Sequence, residues 1–164
     1  MKKVFIGLFA ISLFVLTGCG NTEQKGDSIK LEKGKFSITC FTDEIKEENM
    51  KRKIETTYNF NEQQYVINYN VITTQKFDDN AVYKTYKEAQ EETVKNSTKD
   101  ILYNLKVNNS AKTLIFTMAI TNINLNDTDE KEKLKARVIL NNIENATDAK
   151  YTCKINGIEK SELK

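Results

Sequence analysis

Residues 101–120 read ILYNLKVNNSAKTLIFTMAI. Ile101, Tyr103, Leu105 and Val107 alternate with Leu102, Asn104 and Lys106. Asn108-Asn109-Ser110-Ala111 follows, and the alternation resumes at Leu114, Phe116, Met118 and Ile120, with Ile115 and Ala119 on the opposite side. Side chains two apart on a strand share a face, and Asn and Ser suit the backbone of a turn. Two such runs around such a turn predict an antiparallel hairpin with one apolar face.

That face needs a cover. Upstream the period changes from two to about 3.6: Val82, Tyr86, Ala89 and Thr93 recur at helical spacing, widened by Tyr83 and Val94, with Lys84, Lys87, Glu88, Glu91 and Lys95 on the other side. This pattern predicts an amphipathic helix, with Asp78-Asp79-Asn80 offering its N-cap. Further upstream Ile54, Thr56, Tyr58 and Phe60 alternate, Asn61-Glu62-Gln63 turns, and Tyr65, Ile67, Tyr69 and Val71 line one face of the next strand. Phe36, Ile38 and Cys40 mark a first strand, and Thr42 to Lys51 reads as a charged loop or strand extension. Downstream, Asp127-Thr128-Asp129-Glu130 has the Asp-x-x-Glu spacing of a helix start running through Leu134, Val138 and Leu140. Asn141 to Asp148 is irregular, Lys150 to Ile155 is a last strand, and Ile158 to Lys164 reads as a frayed end. The succession predicts an α+β fold, an antiparallel β-sheet with one or two helices packed on one face.

The chain opens differently. Met1-Lys2-Lys3 is basic, Val4 to Leu16 is apolar apart from Gly7 and Ser12, and Leu16-Thr17-Gly18-Cys19 closes the run. These are the parts of a secretory signal, and a cysteine directly after the small residues makes a lipobox. A run of thirteen residues is too short to span a bilayer, which takes roughly 20. The expected organisation is a signal peptide over 1–18, a lipidated Cys19 and flexible tether over 19–35, one domain over 36–157, and a C-terminal tail over 158–164. A diacylglyceryl group on Cys19 supplies two acyl chains, enough for stable anchoring. The expected address is the extracytoplasmic face of the cell membrane. Cutting before Cys19 removes Lys2 and Lys3 from 25 basic residues, leaving 23 against 23 acidic ones. Without a net positive field there is no call for nucleic acid as a partner.

Two cysteines remain, Cys40 in the first predicted strand and Cys153 in the last. Outside the cytoplasm disulfides persist, and two thiols allow one intramolecular pairing. The expectation is a Cys40–Cys153 bridge between adjacent first and last strands. Two buried free thiols, or a redox pair lacking the usual C-x-x-C spacing, are the rival readings.

Leu-Thr-Gly-Cys at residues 16–19, a short tether, the Ile38-Thr39-Cys40 strand, a Tyr-bearing helix, a hairpin and Tyr151-Thr152-Cys153 near the end resemble small uncharacterised lipoproteins of Gram-positive bacteria, among them the YehR-like lipoproteins. A glycine often precedes Tyr-Thr-Cys in those proteins, where this chain has Lys150. The resemblance implies no catalytic residue, because no activity is attached to that family.

The chain has no histidine, which removes Ser-His-Asp and Cys-His nucleophile pairs. It has neither a G-x-G-x-x-G nor a P-loop. The oxygen-rich run Asn124 to Glu130 lacks the central glycine of an EF-hand. Asp43, Glu44, Glu47 and Glu48 read as a solvated edge and not a glycosidase-like carboxylate pair. Tyr83 and Tyr86 read as sheet-packing residues, and Tyr58, Tyr65 and Tyr69 as core unless they point away from the helices. The resulting expectation is no enzyme, no metal and no cofactor beyond the acyl lipid. The functional expectation is a membrane-anchored, non-catalytic binding module for an unknown surface protein or ligand. The alternatives are a solute-binding accessory lipoprotein of a transporter, an inhibitor or immunity-type lipoprotein, and an enzyme using carboxylates alone.

Overall fold

The computed structural model describes residues 29–126 and 128–164, the side chains of 128–130 excepted. The signal peptide, Cys19 and the Asp127–Glu130 capping spacing lie outside what is described. Strands β1 (Phe36–Thr42), β2 (Ile45–Glu47), β3 (Met50–Phe60) and β4 (Val66–Phe77) come first, followed by helix α1 (Asn80–Lys95). Then come β5 (Ile101–Asn108), β6 (Thr113–Ile120), α2 (Thr128–Lys133), α3 (Ala136–Glu144), β7 (Tyr151–Asn156) and a short 3-10 turn at Lys160–Glu162. The strands form one open seven-stranded sheet in the order β5-β6-β4-β3-β1-β7, with β2 paired to β3. Every pairing is antiparallel. The fold is therefore sheet-dominated, with helices added.

Register sorts the side chains, because directly opposed residues share a face. One face carries Ile38, Cys40, Tyr58, Phe60, Val71, Thr73, Phe116 and Met118. At one end of it Met50, Phe77 and Leu114 are buried with Tyr83 of α1, and Val82, Tyr86 and Leu105 pack around them. At the other end Phe36, Ile38, Phe60 and Val66 are buried with Ala136 and Leu140 of α3. The predicted α1 stripe is rotated slightly: Tyr83 is the buried residue and Ala89 is exposed. Asp79 caps α1, its Oδ1 accepting from the N–H groups of Ala81 and Val82.

Several expectations need correction. The β3–β4 ladder shifts register between Asn59 and Phe60, so Val66 faces Phe60. Val66 therefore enters the core at the start of β4, and not Tyr65 or Ile67. The single helix expected through Leu134 and Leu140 is two helices. Its break is pinned from outside: Val66 N–H donates to Leu134 O, Ala136 N–H donates to Gln64 O, and Tyr65 and Lys135 form a β-bridge. That strand-like stretch is incompatible with a continuous helix. The helix then runs on to Glu144, into a stretch read as irregular. The charged segment after Thr42 holds β2 and the start of β3.

Both ends of the domain are tied down. Lys35 N–H donates to Phe60 O at 2.7 Å, and Asn68 Nδ2 donates to Glu32 O at 2.9 Å. Gly34 is required there, since a Cβ would meet Phe60 O at 2.4 Å. The tether, expected to be flexible to residue 35, is thus docked from Glu32 onward. The expected frayed end is folded too: Leu163 is buried, Lys164 N–H donates to Gln64 Oε1, and Gln64 Nε2 donates to Glu162 O. Leu163 is the cause, because its burial against the α3 end of the core offsets the ordering of the last turn.

Candidate functional site

Cys40 and Cys153 are direct cross-strand partners and form a disulfide across 113 positions of sequence. Cys40 is buried among Ile38, Phe60 and α3, and Cys153 is half-buried. The bond joins the first strand to the last, on the face that bears the helices.

On the same face Tyr58 of β3 and Tyr69 of β4 meet, with Tyr151 of β7 and Tyr103 of β5 each two strands away on either side. The rings of Tyr58 and Tyr69 lie 5.5 Å apart, and Tyr103 stacks on Phe116 at 5.8 Å. Burial pushes the Tyr58 phenol up to about 12, and the nearby Tyr151 adds to this. Tyr69 is pushed well above the ordinary phenol range by burial, then by Tyr58 and Tyr103. Tyr151 is raised by burial and by Asp148, against an opposing pull from Arg52. Among the described residues none of the four hydroxyls has a hydrogen-bonding protein partner, and none is both buried and unpartnered. Neutral phenols of this kind donate and accept hydrogen bonds and present flat apolar rings. With their pKa values raised, Tyr58, Tyr69 and Tyr151 supply no phenolate nucleophile near neutral pH.

A second polar feature lies under α1. Gln90 Nε2 donates to Gln75 Oε1 at 2.6 Å, and Gln75 Nε2 points to the Met50 sulfur at 3.5 Å. Gln90 Oε1 is buried without a partner. Neither glutamine stood out in the sequence, because Gln75 occupies an ordinary alternating position and is fully buried by register alone.

The other residues singled out by sequence scatter. Tyr65 sits apart from Tyr58 and Tyr69; its hydroxyl donates to Glu132, and Lys131 lies 4.6 Å from its ring centre. Tyr83 and Tyr86 pack on Phe77, and the Tyr83 hydroxyl donates to Asn109. Glu47 pairs with Arg52 at 2.9 Å, and Glu44 stands 3.9 Å from Lys51. Among the described residues no three ligand-type side chains converge to hold a metal. No helix among them is long and apolar enough to cross a membrane.

No protein-family model, no curated protein and no solved structure matches the chain. Its site must therefore be read from its own chemistry.

The tyrosine cluster makes a pH prediction. A phenol with a raised native pKa holds its proton when the unfolded chain has lost it. The stability from keeping Tyr58 neutral is full below pH 10 and is lost as pH climbs from 10 towards 12. Each such phenol steepens that loss by about 1.4 kcal/mol per pH unit. Urea unfolding across this window is expected to show the slope, and Tyr58→Phe is expected to flatten it. An unchanged slope in Tyr58→Phe would refute the assignment.

Proposed function

We propose that the protein is a lipid-anchored, extracytoplasmic, non-catalytic binding module. The observation that carries this reading is the cross-strand bond between Cys40 and Cys153, because such bonds persist outside the reducing cytoplasm. The lipobox Leu16-Thr17-Gly18-Cys19 supplies the matching address. The resemblance to small Gram-positive lipoproteins, YehR-like ones included, belongs to the same reading. The phenols of Tyr58, Tyr69, Tyr103 and Tyr151 suit recognition better than bond-making, since aromatic rings with a polar tip give contact area at low entropic cost.

Palmitate labelling of intact cells tests the anchor. Label is expected on the wild-type protein and absent from Cys19→Ala, which is expected to remain as unprocessed precursor. Equal processing of the two would reject the anchor. Crosslinking on intact cells tests the binding role: a captured surface partner is expected, and turnover of small substrates by the purified protein would overturn it.

A further inference from the structure

The Cys40–Cys153 bond joins two sulfurs in unequal settings. Cys40 is 1% exposed. It lies on β1 with Thr56 of β3 opposite it on one side and Cys153 of β7 on the other, and Thr56 is buried as well. Cys153 is half-buried and belongs to a strand that ends the sheet. The two α-carbons stand 4.0 Å apart, which marks a cross-strand pair that exchanges no hydrogen bonds. The N–H and C=O of Cys153 therefore point away from β1, and those of Tyr151 and Ile155, two residues to either side, do the same. Among the described residues nothing pairs with these outward groups: β7 has β1 as its strand partner, and no other backbone bond reaches the three. Exchange at a disulfide is an in-line displacement, so the incoming thiolate must reach the side of the attacked sulfur opposite the sulfur that leaves. For Cys40 that side lies towards β3 and the buried Thr56. For Cys153 it lies towards the open edge beyond β7.

We propose that Cys153 is a thiol-exchange site, the sulfur through which a foreign thiolate enters this bond in the folded chain. The incoming sulfur bonds to Cys153 Sγ, the Cys153–Cys40 bond breaks, and its electron pair leaves on Cys40 Sγ, which takes a proton from solvent. A single thiol stops at this mixed disulfide. A dithiol goes on: its second thiolate displaces Cys153, so the dithiol is oxidised and the cysteine pair is reduced. Run backwards, the same two steps close the pair with an oxidised dithiol, Cys153 again making the contact and Cys40 resolving it. The open edge favours a protein thiolate over a free one. Three unpaired N–H and C=O sets around Cys153 can take an extended segment as an added strand, which a small thiol does not supply. The inference rests on the bond and the strand order and not on the lipid anchor.

The test uses the full wild-type chain in detergent micelles, with reduced glutathione as the first probe. Samples are quenched with acid, free thiols are alkylated, and both adducts are mapped by mass spectrometry. Glutathione is expected on Cys153 and the alkyl group on Cys40, at least tenfold over the reverse. The single variants are expected to agree: with oxidised glutathione, Cys153 in Cys40→Ala reacts at least tenfold faster than Cys40 in Cys153→Ala. In urea that unfolds the chain the two rates are expected to converge, which removes intrinsic reactivity as the cause. The second probe is a thioredoxin-class protein left with one reactive cysteine. It is expected to join the same sulfur and, relative to its rate on oxidised glutathione, to outpace free glutathione at least tenfold. The same attachment without that advantage supports the site and assigns it to free thiols. Glutathione on Cys40 in equal or greater amount, or adducts that form only where urea unfolds the chain, overturns the proposal. Mapping reads Cys19 separately, so a failed anchor would show as an alkylated Cys19 and leave this result untouched.

Discussion

Replacing Cys40 and Cys153 together by alanine is expected to lower stability by about 2–5 kcal/mol, the cost usual for a native disulfide in a small secreted domain. The bond closes a loop spanning 113 positions, and chain entropy alone assigns a loop of that order about 4.7 kcal/mol. A typical domain holds about 5–15 kcal/mol, so the variant is expected to keep at most a modest reserve. Urea unfolding of the wild type with and without reductant, beside the double variant, measures this. Reduced wild type and the variant are expected to share a lowered midpoint. A midpoint indifferent to reductant would show that the bridge contributes nothing.

Phe60→Ala is expected to cost about 3–5 kcal/mol, the range for emptying a buried aromatic site. Phe60 is fully buried, stacks on Phe36 at 4.8 Å with rings nearly parallel, and touches Tyr58 at 6.4 Å. Its carbonyl also receives the Lys35 N–H that docks the arm. The variant is therefore expected to free residues 32–35 to proteolysis as well as to lower the urea midpoint. Phe41→Ala is the control: Phe41 lies on the helix-free face, half-buried, with the Lys154 ammonium 5.9 Å from its ring centre, and its loss is expected to cost less, about 1–2 kcal/mol. Equal losses in the two variants would mean that Phe60 is not the keystone of the α3 end.

The two hairpins were legible because their alternation is strong and their turns are polar. So was α1, whose period and Asp79 cap agree. The Cys40–Cys153 pair was legible from the count of thiols and the address that the lipobox led one to expect. What escaped was whatever long-range pairing decides. The shift at Asn59/Phe60 turns Val66 inward, and no local pattern announces a bulge. The break before α3 exists only because Gln64–Val66 pairs with Leu134–Ala136, about seventy residues away along the chain. Tyr103 and Tyr151 read as ordinary strand residues, and only the strand order brings them to Tyr58 and Tyr69.

The place of β1, between β3 and β7, has a consequence for biogenesis. A chain delivered across a membrane from its N-terminus presents β1 with one flank open until its last strand arrives. Sheets ruled by distant pairings form slowly, on the millisecond-to-second scale, and open flanks invite mispairing with other chains. Cys40 waits through that interval as an unpartnered thiol, so oxidants and foreign thiols compete for it. For a chain delivered in this way the sheet closes only when β7, Tyr151–Asn156, and the turn after it are in place.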